Sequence, residues 1–179
     1  MVRYEGERCR LRPLRRDDIR KTLEWRNNPA IRDRNFGARF PVTEVMEEAW
    51  FADALADTSN RRIIFAVEDA GVGELIGMVY LHSIDWVGRT AMFTIMIGDE
   101  AYHGHGFGTE ATALALEIAF QHFNLRKLTL IVGADNAPAR KVYEKLGFTE
   151  EGRLKDHVYY DGAFQDVHYL SKFREDGES

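Results

Sequence analysis

The sequence predicts an α+β (mixed α/β) domain, in which a mostly antiparallel, twisted sheet of six to seven strands is flanked by about four helices. Three β-rich runs separated by turn residues, over 62–68, 75–82 and 89–97, indicate an antiparallel meander. A glycine-rich loop, an amphipathic helical pattern and a β-rich run over 127–132 follow in that order. A strand joined through a helix to another strand makes a crossover, so one strand pair is expected to be parallel.

The part of the chain before this meander predicts one strand and two helices. Residues 8–14 alternate well enough for a first strand, which we expect at an edge of the sheet. The Asp17-Asp18 pair predicts the start of a capped helix, and the Asn-Asn-Pro sequence that finishes with Pro29 predicts its end. Thr43 can cap the second helix. The apolar side chains expected on one side of that helix are Met46, Ala49, Trp50 and Leu55.

The last section of the chain predicts a helix and a hairpin. Asn136 can cap a helix with Pro138 in its first turn, and Gly147 suits a left-handed helix stop. The Asp161-Gly162 pair between two β-rich runs is typical of a tight hairpin turn, so we expect a hairpin over about 148–172. The polar residues at 175–179 are expected to fray.

Length and composition predict a single domain over residues 1–179. Cys9 is the only cysteine, which excludes an internal disulfide and a Cys-based zinc cluster. No apolar run reaches about 18 residues and the N-terminal residues do not resemble a signal peptide, so we expect a cytoplasmic protein without membrane attachment. The net charge of −5 and the lack of a recognition motif argue against nucleic-acid binding.

Acidic side chains are concentrated in residues 40–59, which contain no lysine or arginine. They are Glu44, Glu47, Glu48, Asp53 and Asp57. Two interpretations are open at this point: a solvated helix face, or an acidic rim that attracts a cationic amine.

The glycine-rich loop over 103–110 carries the strongest functional signal. Gly104, Gly106 and Gly108 alternate with other residues just before the helical pattern, where backbone N–H groups at a helix start favour phosphate. The loop is not the phosphate loop of ATPases, which needs a Gly-Lys pair followed by a hydroxyl residue. The dinucleotide fingerprint also fails, because its third glycine would fall at Thr109.

A second signature lies downstream, where Asn136, Tyr143 and a Leu-Gly-Phe sequence ending at Phe148 follow one another. With both signatures the chain resembles the GNAT superfamily of acyl-CoA-dependent N-acetyltransferases, whose loop motif reads Gln/Arg-x-x-Gly-x-Gly/Ala. Here the motif falls on residues 103–108, with His103 where the family usually has Gln or Arg. The resemblance covers nearly the whole chain and extends to the ribosomal-protein N-terminal acetyltransferases and the spermidine N-acetyltransferases.

The resemblance implies the GNAT fold, in which the parallel strand pair splays apart at the cofactor site. It implies substrate-side helices within about 17–57 and an acetyl-CoA-binding core within about 89–148. Acetyl-CoA would be the co-substrate, and we expect no metal, since the His103-x-His105 pair has no third ligand nearby. The residues expected to bind acetyl-CoA are Ile95, Met96, Ile97, His103, Gly104, His105, Gly106, Phe107, Gly108, Thr109, Asn136, Arg140 and Tyr143.

For catalysis, Tyr143 matches the family's general acid, and a phenol is protonated at neutral pH. The general base is less clear, because many relatives have a glutamate in an Ala-Glu-Phe-like triplet where this chain has Met92. Glu100 and His82 are the weaker candidates, and direct loss of the proton to water is the alternative.

The acceptor is left open among a polyamine, an amino sugar and the N-terminal amine of a protein. Trp25, Phe36 and Phe40 are candidates for an aromatic substrate pocket, whereas Arg39 would repel a polycation. A non-catalytic acetyl-CoA-binding sensor is the alternative of another class. A homodimer or higher homo-oligomer is plausible, because an open sheet offers strand edges that can pair.

Overall fold

The computed structural model describes residues 4–36 and 40–175, in which eight strands form one sheet. The strands are β1 (Tyr4–Glu5), β2 (Cys9–Pro13), β3 (Ile63–Asp69), β4 (Leu75–Asp85), β5 (Thr90–Ile97), β6 (Lys127–Gly133), β7 (Thr149–Tyr160) and β8 (Ala163–Phe173). The α-helices are α1 (Ile19–Asn27), α2 (Pro29–Arg32), α3 (Glu44–Ala56), α4 (Phe107–Glu117) and α5 (Ala137–Lys145). Residues 37–39 and 176–179, including Arg39 and most of the expected frayed end, lie outside the described residues.

The strand order is β1-β2-β3-β4-β5-β6-β8-β7, and only the β5–β6 pair is parallel. The predicted α+β class, with a mostly antiparallel sheet and one parallel pair, is therefore confirmed, although the described residues form eight strands and five α-helices where six to seven strands and about four helices are predicted. The expectation that residues 8–14 form an edge strand is wrong. The chain turns where Gly6 N donates to Cys9 O (2.9 Å), which folds Tyr4 back opposite Leu11 as an additional short edge strand.

Two apolar clusters cover the two faces of the sheet. Neighbouring strand residues alternate between them: Val67 and Val79 pack on the face of α4 and α5, whereas Ala66 and Met78 pack on the face of α1 and α2. Trp25 of α1 lies on the second face. A Cβ on Gly98 would come within 2.0 Å of the Trp25 ring, so the ring needs a glycine at the end of β5.

Helix α3 begins as predicted, because Thr43 Oγ1 accepts a hydrogen bond from Met46 N (3.2 Å). Its predicted inner face is wrong, however: Met46 is 53% and Leu55 42% exposed, and Glu47 and Phe51 are buried instead. Glu47 accepts hydrogen bonds from α1, described below. The contacts of the buried Glu47 carboxylate, and not the predicted apolar side chains, therefore determine which side of α3 faces the protein interior.

A second buried ionic group joins β2, β3 and the start of α1. Both Nη atoms of Arg12 donate to the carboxylate of Asp18 (2.9 Å each), and its Nε donates to Glu68. Asp18 was predicted to take part in capping α1, but its side chain makes no cap hydrogen bond to that helix. It instead accepts from Arg15 N (2.7 Å) and closes a 3₁₀ turn over Arg16–Asp18.

The predicted C-terminal elements are confirmed. Asn136 Oδ1 accepts from Ala139 N (3.3 Å) at the start of α5, and Gly147 after that helix has a φ of +84°. Asp161 and Gly162 both have positive φ, as a tight hairpin turn of twisted strands requires. In the described ranges, no helix has both the length and the apolar character needed to cross a membrane.

The Arg12 group generates a stability prediction. Replacing Arg12 with alanine removes the cation paired with buried Asp18 and the nearest of the three described arginines around buried Glu68, so the free energy of unfolding should fall by about 3–5 kcal/mol in a denaturant titration. Arg153→Ala is the matched control, because Arg153 makes an ion pair with Asp166 on the surface. That variant should lose under about 1 kcal/mol. Equal losses in the two variants would contradict the structural role given to Arg12.

Candidate active site

Strands β5 and β6 diverge after three residue pairs, the last of which is Met92 opposite Thr129. Beyond this point β5 stays paired with β4 up to Ile97, and β6 stays paired with β8 up to Gly133. A cavity of about 810 Å³ occupies the resulting gap. It passes between the two faces of the sheet, since Tyr143 of α5 lines it together with residues of the α1 face.

The structure brings many of the predicted site residues to this main cavity. Those that line it are Phe36, His82, Ile95, Ile97, His103, Gly104, Gly106, Gly108, Thr109, Asn136 and Tyr143. The remaining walls are mostly apolar side chains of β5, β6 and α5.

The glycine-rich loop presents its backbone N–H groups to the main cavity. Gly104 and Gly106 have φ of +77° and +87°, a region in which other residues are strained. The first hydrogen bond of α4 runs from Glu110 N to Gly106 O. No hydrogen bond joins the N–H groups from Gly104 to Thr109 to any described residue, which leaves them available to phosphate oxygens.

His103 connects this loop to β5. Its Nε2 lies 2.8 Å from the carbonyl oxygen of Ile97. A carbonyl can only accept, so Nε2 carries the proton and Nδ1 is the unprotonated nitrogen of the neutral ring. The imidazole therefore holds the loop against the end of the strand.

The register of β4 and β5 decides which amides of β5 face the gap. Gly98 N donates to Ile76 O (2.9 Å), so alternate residues before Gly98 also direct their amides to β4. Met96 is one of these, and its side chain packs on the α1 face. Ile95 and Ile97 direct their amides into the gap, where a chain of ligand amides can pair with them.

Several predicted cofactor residues lie outside the wall of the main cavity. These are Met96, His105, Phe107 and Arg140. The His105 side chain is exposed, the Phe107 ring packs on Tyr102 with centroids 4.9 Å apart, and Arg140 lies 3.9 Å from Glu144.

Tyr143 projects from α5 into the same cavity and is buried against the ring of Phe148 (centroids 5.6 Å apart). Its hydroxyl makes no hydrogen bond to another described residue. Burial raises the pKa of Tyr143 to about 12, because the charged phenolate would be poorly solvated there. The phenol is therefore protonated across the range in which enzymes are usually assayed.

His82 lies where the main cavity meets a second one. A break in the β4–β5 register follows His82, and Ser83 has a φ of +51°. The two ring nitrogens of His82 lie 3.3 Å from Thr94 Oγ1 and 3.3 Å from Ser83 Oγ. Burial lowers the pKa of His82, so its imidazole is neutral at pH 7 and can accept a proton.

The second cavity, of about 260 Å³, lies on the α1 face and shares His82, Thr94 and Asn35 with the main cavity. The other side chains around it are Trp25, Arg26, Arg32, Trp50, Tyr80 and Met96. Sequence analysis identified Trp25 and missed Arg26, Arg32, Tyr80 and Thr94. The alternation along β4 places Tyr80 and His82 on one face and is the signal that could have grouped them.

Two of the three remaining candidates stand apart from these cavities. Glu100 is exposed in a 3₁₀ turn and lines neither of them, and Phe40 is 79% exposed. Phe36 lines the main cavity and a third one, of about 350 Å³, next to the tip of the β7–β8 hairpin. Within the described ranges, no cluster of three or more His, Cys, Asp or Glu side chains is arranged to hold a metal ion.

The GNAT acetyltransferase domain model matches residues 8–149. The chain belongs to the GNAT acetyltransferase family. It is an acetyl-CoA-dependent N-acetyltransferase, as the two signatures implied.

Named relatives are similar to this GNAT chain over most of its length. The spermidine N(1)-acetyltransferase of Vibrio cholerae is 36% identical over 157 residues, 88% of each chain. The Escherichia coli enzyme of the same name is 35% identical over 159 residues, 88% of this chain and 82% of that one. A putative ribosomal N-acetyltransferase of Bacillus subtilis is 33% identical over 106 residues, 59% of this chain and 57% of that one.

Solved structures show the same fold. The Vibrio cholerae spermidine N-acetyltransferase in complex with CoA and spermine superposes with a TM-score of 0.86 at 32% identity, over 94% of this chain and 96% of that one. A dodecameric structure of that enzyme superposes with a TM-score of 0.78 at 31% identity, over 94% and 95% of the two chains.

The loop geometry generates a binding prediction. Alanine at Gly106 must either adopt a strained left-handed conformation, at about 1–2 kcal/mol, or move the N–H groups that follow it. We expect Gly106→Ala to raise the dissociation constant of CoA at least about tenfold by calorimetry.

Gly162→Ala is the matched control for that experiment, because Gly162 also has a left-handed φ (+76°) but lies at the hairpin tip, away from the glycine-rich loop. It should cost similar stability and change CoA affinity by less than about twofold. An equal loss of CoA affinity in both variants would show that strain, and not the loop amides, controls binding.

Proposed function

We propose that this enzyme acetylates the primary amine of a small molecule by direct attack of the amine on acetyl-CoA. The observation that carries the proposal is the placement of Tyr143, His82 and the glycine-rich loop around one cavity that passes through the sheet. The loop and the amides of Ile95 and Ile97 suit the diphosphate and amide groups of acetyl-CoA on one side. The acceptor then approaches from the α1 face, through the second cavity.

Forming the amide removes two protons from the ammonium group and adds one to the departing thiolate. The amine nitrogen bonds to the thioester carbonyl carbon, the carbon–sulfur bond breaks, and CoA leaves as a thiolate. Tyr143 donates its hydroxyl hydrogen to the developing thiolate. The raised pKa of Tyr143 keeps the phenol protonated before this step. An alkylamine with a pKa near about 10 arrives as an ammonium ion, and neutral His82 accepts its first proton. The nitrogen loses its second proton after it bonds to the carbonyl carbon, and this proton replaces the one that Tyr143 donated, so one proton in total leaves through His82.

The relatives' names favour a small-molecule acceptor over a protein N-terminus. Enzymes named for spermidine match across most of the chain, whereas the ribosomal relative matches 59% of it. The second cavity, of about 260 Å³, suits a small amine. A panel containing spermidine, glucosamine and an N-terminal peptide tests this, with thiol release from acetyl-CoA as the readout. Release with the peptide alone would overturn the proposal, and CoA binding without any release would indicate a sensor.

A homo-oligomer is part of the proposal. β7 ends the sheet and has no strand on its outer side among the described residues. Tyr159 and Phe164 form an exposed aromatic pair at the same hairpin, with ring centroids 5.0 Å apart. An unpaired edge strand with exposed aromatic side chains favours association with another copy, and a dodecamer is known for the Vibrio cholerae relative.

Tyr143→Phe tests the acid. The variant keeps the ring that packs on Phe148 and removes only the hydroxyl, so kcat should fall at least about tenfold while CoA affinity stays within about twofold. Steady-state kinetics and calorimetry measure the two quantities. Unchanged kcat would remove Tyr143 from the mechanism.

The pH dependence of kcat at saturating amine tests His82. Only the neutral ring accepts a proton, so kcat should fall with decreasing pH on an acidic limb that lies below the ordinary histidine pKa of about 6.5. His82→Gln should lower kcat and remove this limb. Tyr143 should add no basic limb in the usual assay range, because its pKa is raised to about 12.

Glu100→Gln is the comparison variant, since Glu100 is exposed outside both cavities. It should keep the wild-type profile. If the acidic limb survives in His82→Gln and is lost in Glu100→Gln, the assignment of the base is wrong. If both variants keep it, the proton passes directly to water.

A further inference from the structure

We infer that the acceptor carries an anionic group beside its primary amine, and that Arg32 and Arg26 bind this group in the second cavity. The inference rests on the proposed function and specifies the substrate class of the same site. The shared chemistry is a carboxylate or phosphate attached to a small amine, and the experiment below separates these two.

The walls of the second cavity combine cationic and aromatic side chains. Arg26 and Arg32 lie among the rings of Trp25, Trp50 and Tyr80. Among the described residues, the lining of this cavity includes no Asp or Glu side chain, and the lining of the main cavity includes none either. An acceptor bound here therefore faces guanidinium groups without meeting a carboxylate.

Arg26 is held in place by a carboxylate that a ligand does not reach. Its Nη1 lies 2.7 Å from Glu47 Oε2, and its guanidinium carbon lies 5.0 Å from the centre of the Trp50 ring. Glu47 is fully buried, and its other oxygen accepts from Thr22 Oγ1 (2.7 Å). Glu47 therefore orients Arg26 from behind, while the other N–H groups of the guanidinium have no described partner.

Arg32 offers a guanidinium with two Nη groups free of described partners, although its side chain is 21% exposed and that of Arg26 31%. The Nε of Arg32 lies 3.1 Å from Asp33 Oδ1, and its two Nη groups have no partner among the described residues. A guanidinium with free Nη groups presents a planar pair of donors that matches a carboxylate or a phosphate. Arg32 belongs to α2, which packs on the sheet through the buried side chain of Ile31. The packing of α2 on the sheet therefore fixes the position of the Arg32 backbone.

The acidic side chains that suggested a cationic acceptor do not face this cavity. Glu47 is buried under Arg26, and Asp53 and Asp57 both pair with Arg62. The ammonium groups of a polyamine would meet Arg26 and Arg32 instead, and like charges at short range repel. The charged groups that face the cavity are therefore guanidiniums, which disfavour a polycation and can bind an anion, while their paired carboxylates, Glu47 and Asp33, lie outside the lining.

A cluster of carboxylates does occur at the third cavity, beside Phe36 and the hairpin tip. Asp33, Asp135 and Asp161 line it, and Tyr160 donates its hydroxyl to Asp135. This cavity shares residues with the main cavity but does not include His82. An amine bound among these carboxylates is therefore not next to the proposed base.

Matched amine pairs test the inference on the whole protein. The pairs are tryptamine with tryptophan, and glucosamine with glucosamine 6-phosphate; spermidine is the polycation. In at least one pair, we expect kcat/KM of the anionic member to be at least about tenfold higher than that of its partner and that of spermidine. Hydrogen bonds between a guanidinium and an anion are strong enough to produce such a difference. A higher kcat/KM for tryptophan indicates a carboxylate, and a higher kcat/KM for glucosamine 6-phosphate indicates a phosphate.

Arg32→Gln is the informative variant, because Arg26 cannot be removed without leaving Glu47 buried and unpaired. We expect Arg32→Gln to raise KM for the anionic amine at least about tenfold, with KM for the partner that lacks the carboxylate or phosphate, and for acetyl-CoA, within about twofold. Arg20→Gln is the matched control, since Arg20 is an exposed arginine of α1 that lines none of the three cavities. It should behave as wild type.

The outcomes distinguish failure of the anionic acceptor from failure of small-molecule acetylation. If spermidine has the highest kcat/KM, or if Arg32→Gln affects both members of a pair equally, the anionic acceptor is wrong and small-molecule acetylation stands. If no small amine releases thiol from acetyl-CoA, both are overturned.

Discussion

The divergence of β5 and β6 is the constraint on which the rest of the site depends. Backbone amides inside a protein need hydrogen-bond partners, and a strand that separates from its neighbour leaves a row of them unpaired. Here the gap opens after Met92 and Thr129, and the amides of Ile95 and Ile97 turn into it. A ligand rich in amides can supply the missing partners, which is why we propose the local break in the sheet as the binding site for acetyl-CoA.

The same gap makes the two faces of the sheet meet. Tyr143 comes from a helix packed on one face, and His82 projects from β4 toward the other. An intact sheet would separate them, because consecutive strand residues point to opposite sides. Thiolate protonation and amine deprotonation can therefore take place at opposite ends of a single passage.

The acceptor side is built on buried charges. Arg12 with its two carboxylates fixes the start of α1, and Glu47 joins α3 to α1 through Thr22 and Arg26. These contacts orient the helices and also leave a guanidinium in the second cavity. The fold is common to the Vibrio cholerae spermidine relative, but the fold alone does not decide the acceptor, which depends on side chains.

Sequence alone determined most of the strands and helices, though not β1 or α2. It also determined the glycine-rich loop, the caps at Thr43 and Asn136 and the hairpin turn, and it placed Tyr143 in a family motif. Each of these depends on residues close together in the chain, through a left-handed φ, a capping side chain or a period of apolar residues. Only the tertiary structure decided that Glu47 faces inward, that His82 and not Glu100 lines the cavity, and that Arg26 and Arg32 line one cavity with Trp50. Those placements join residues far apart in sequence, and they follow from how helices pack on the sheet, which no local pattern encodes.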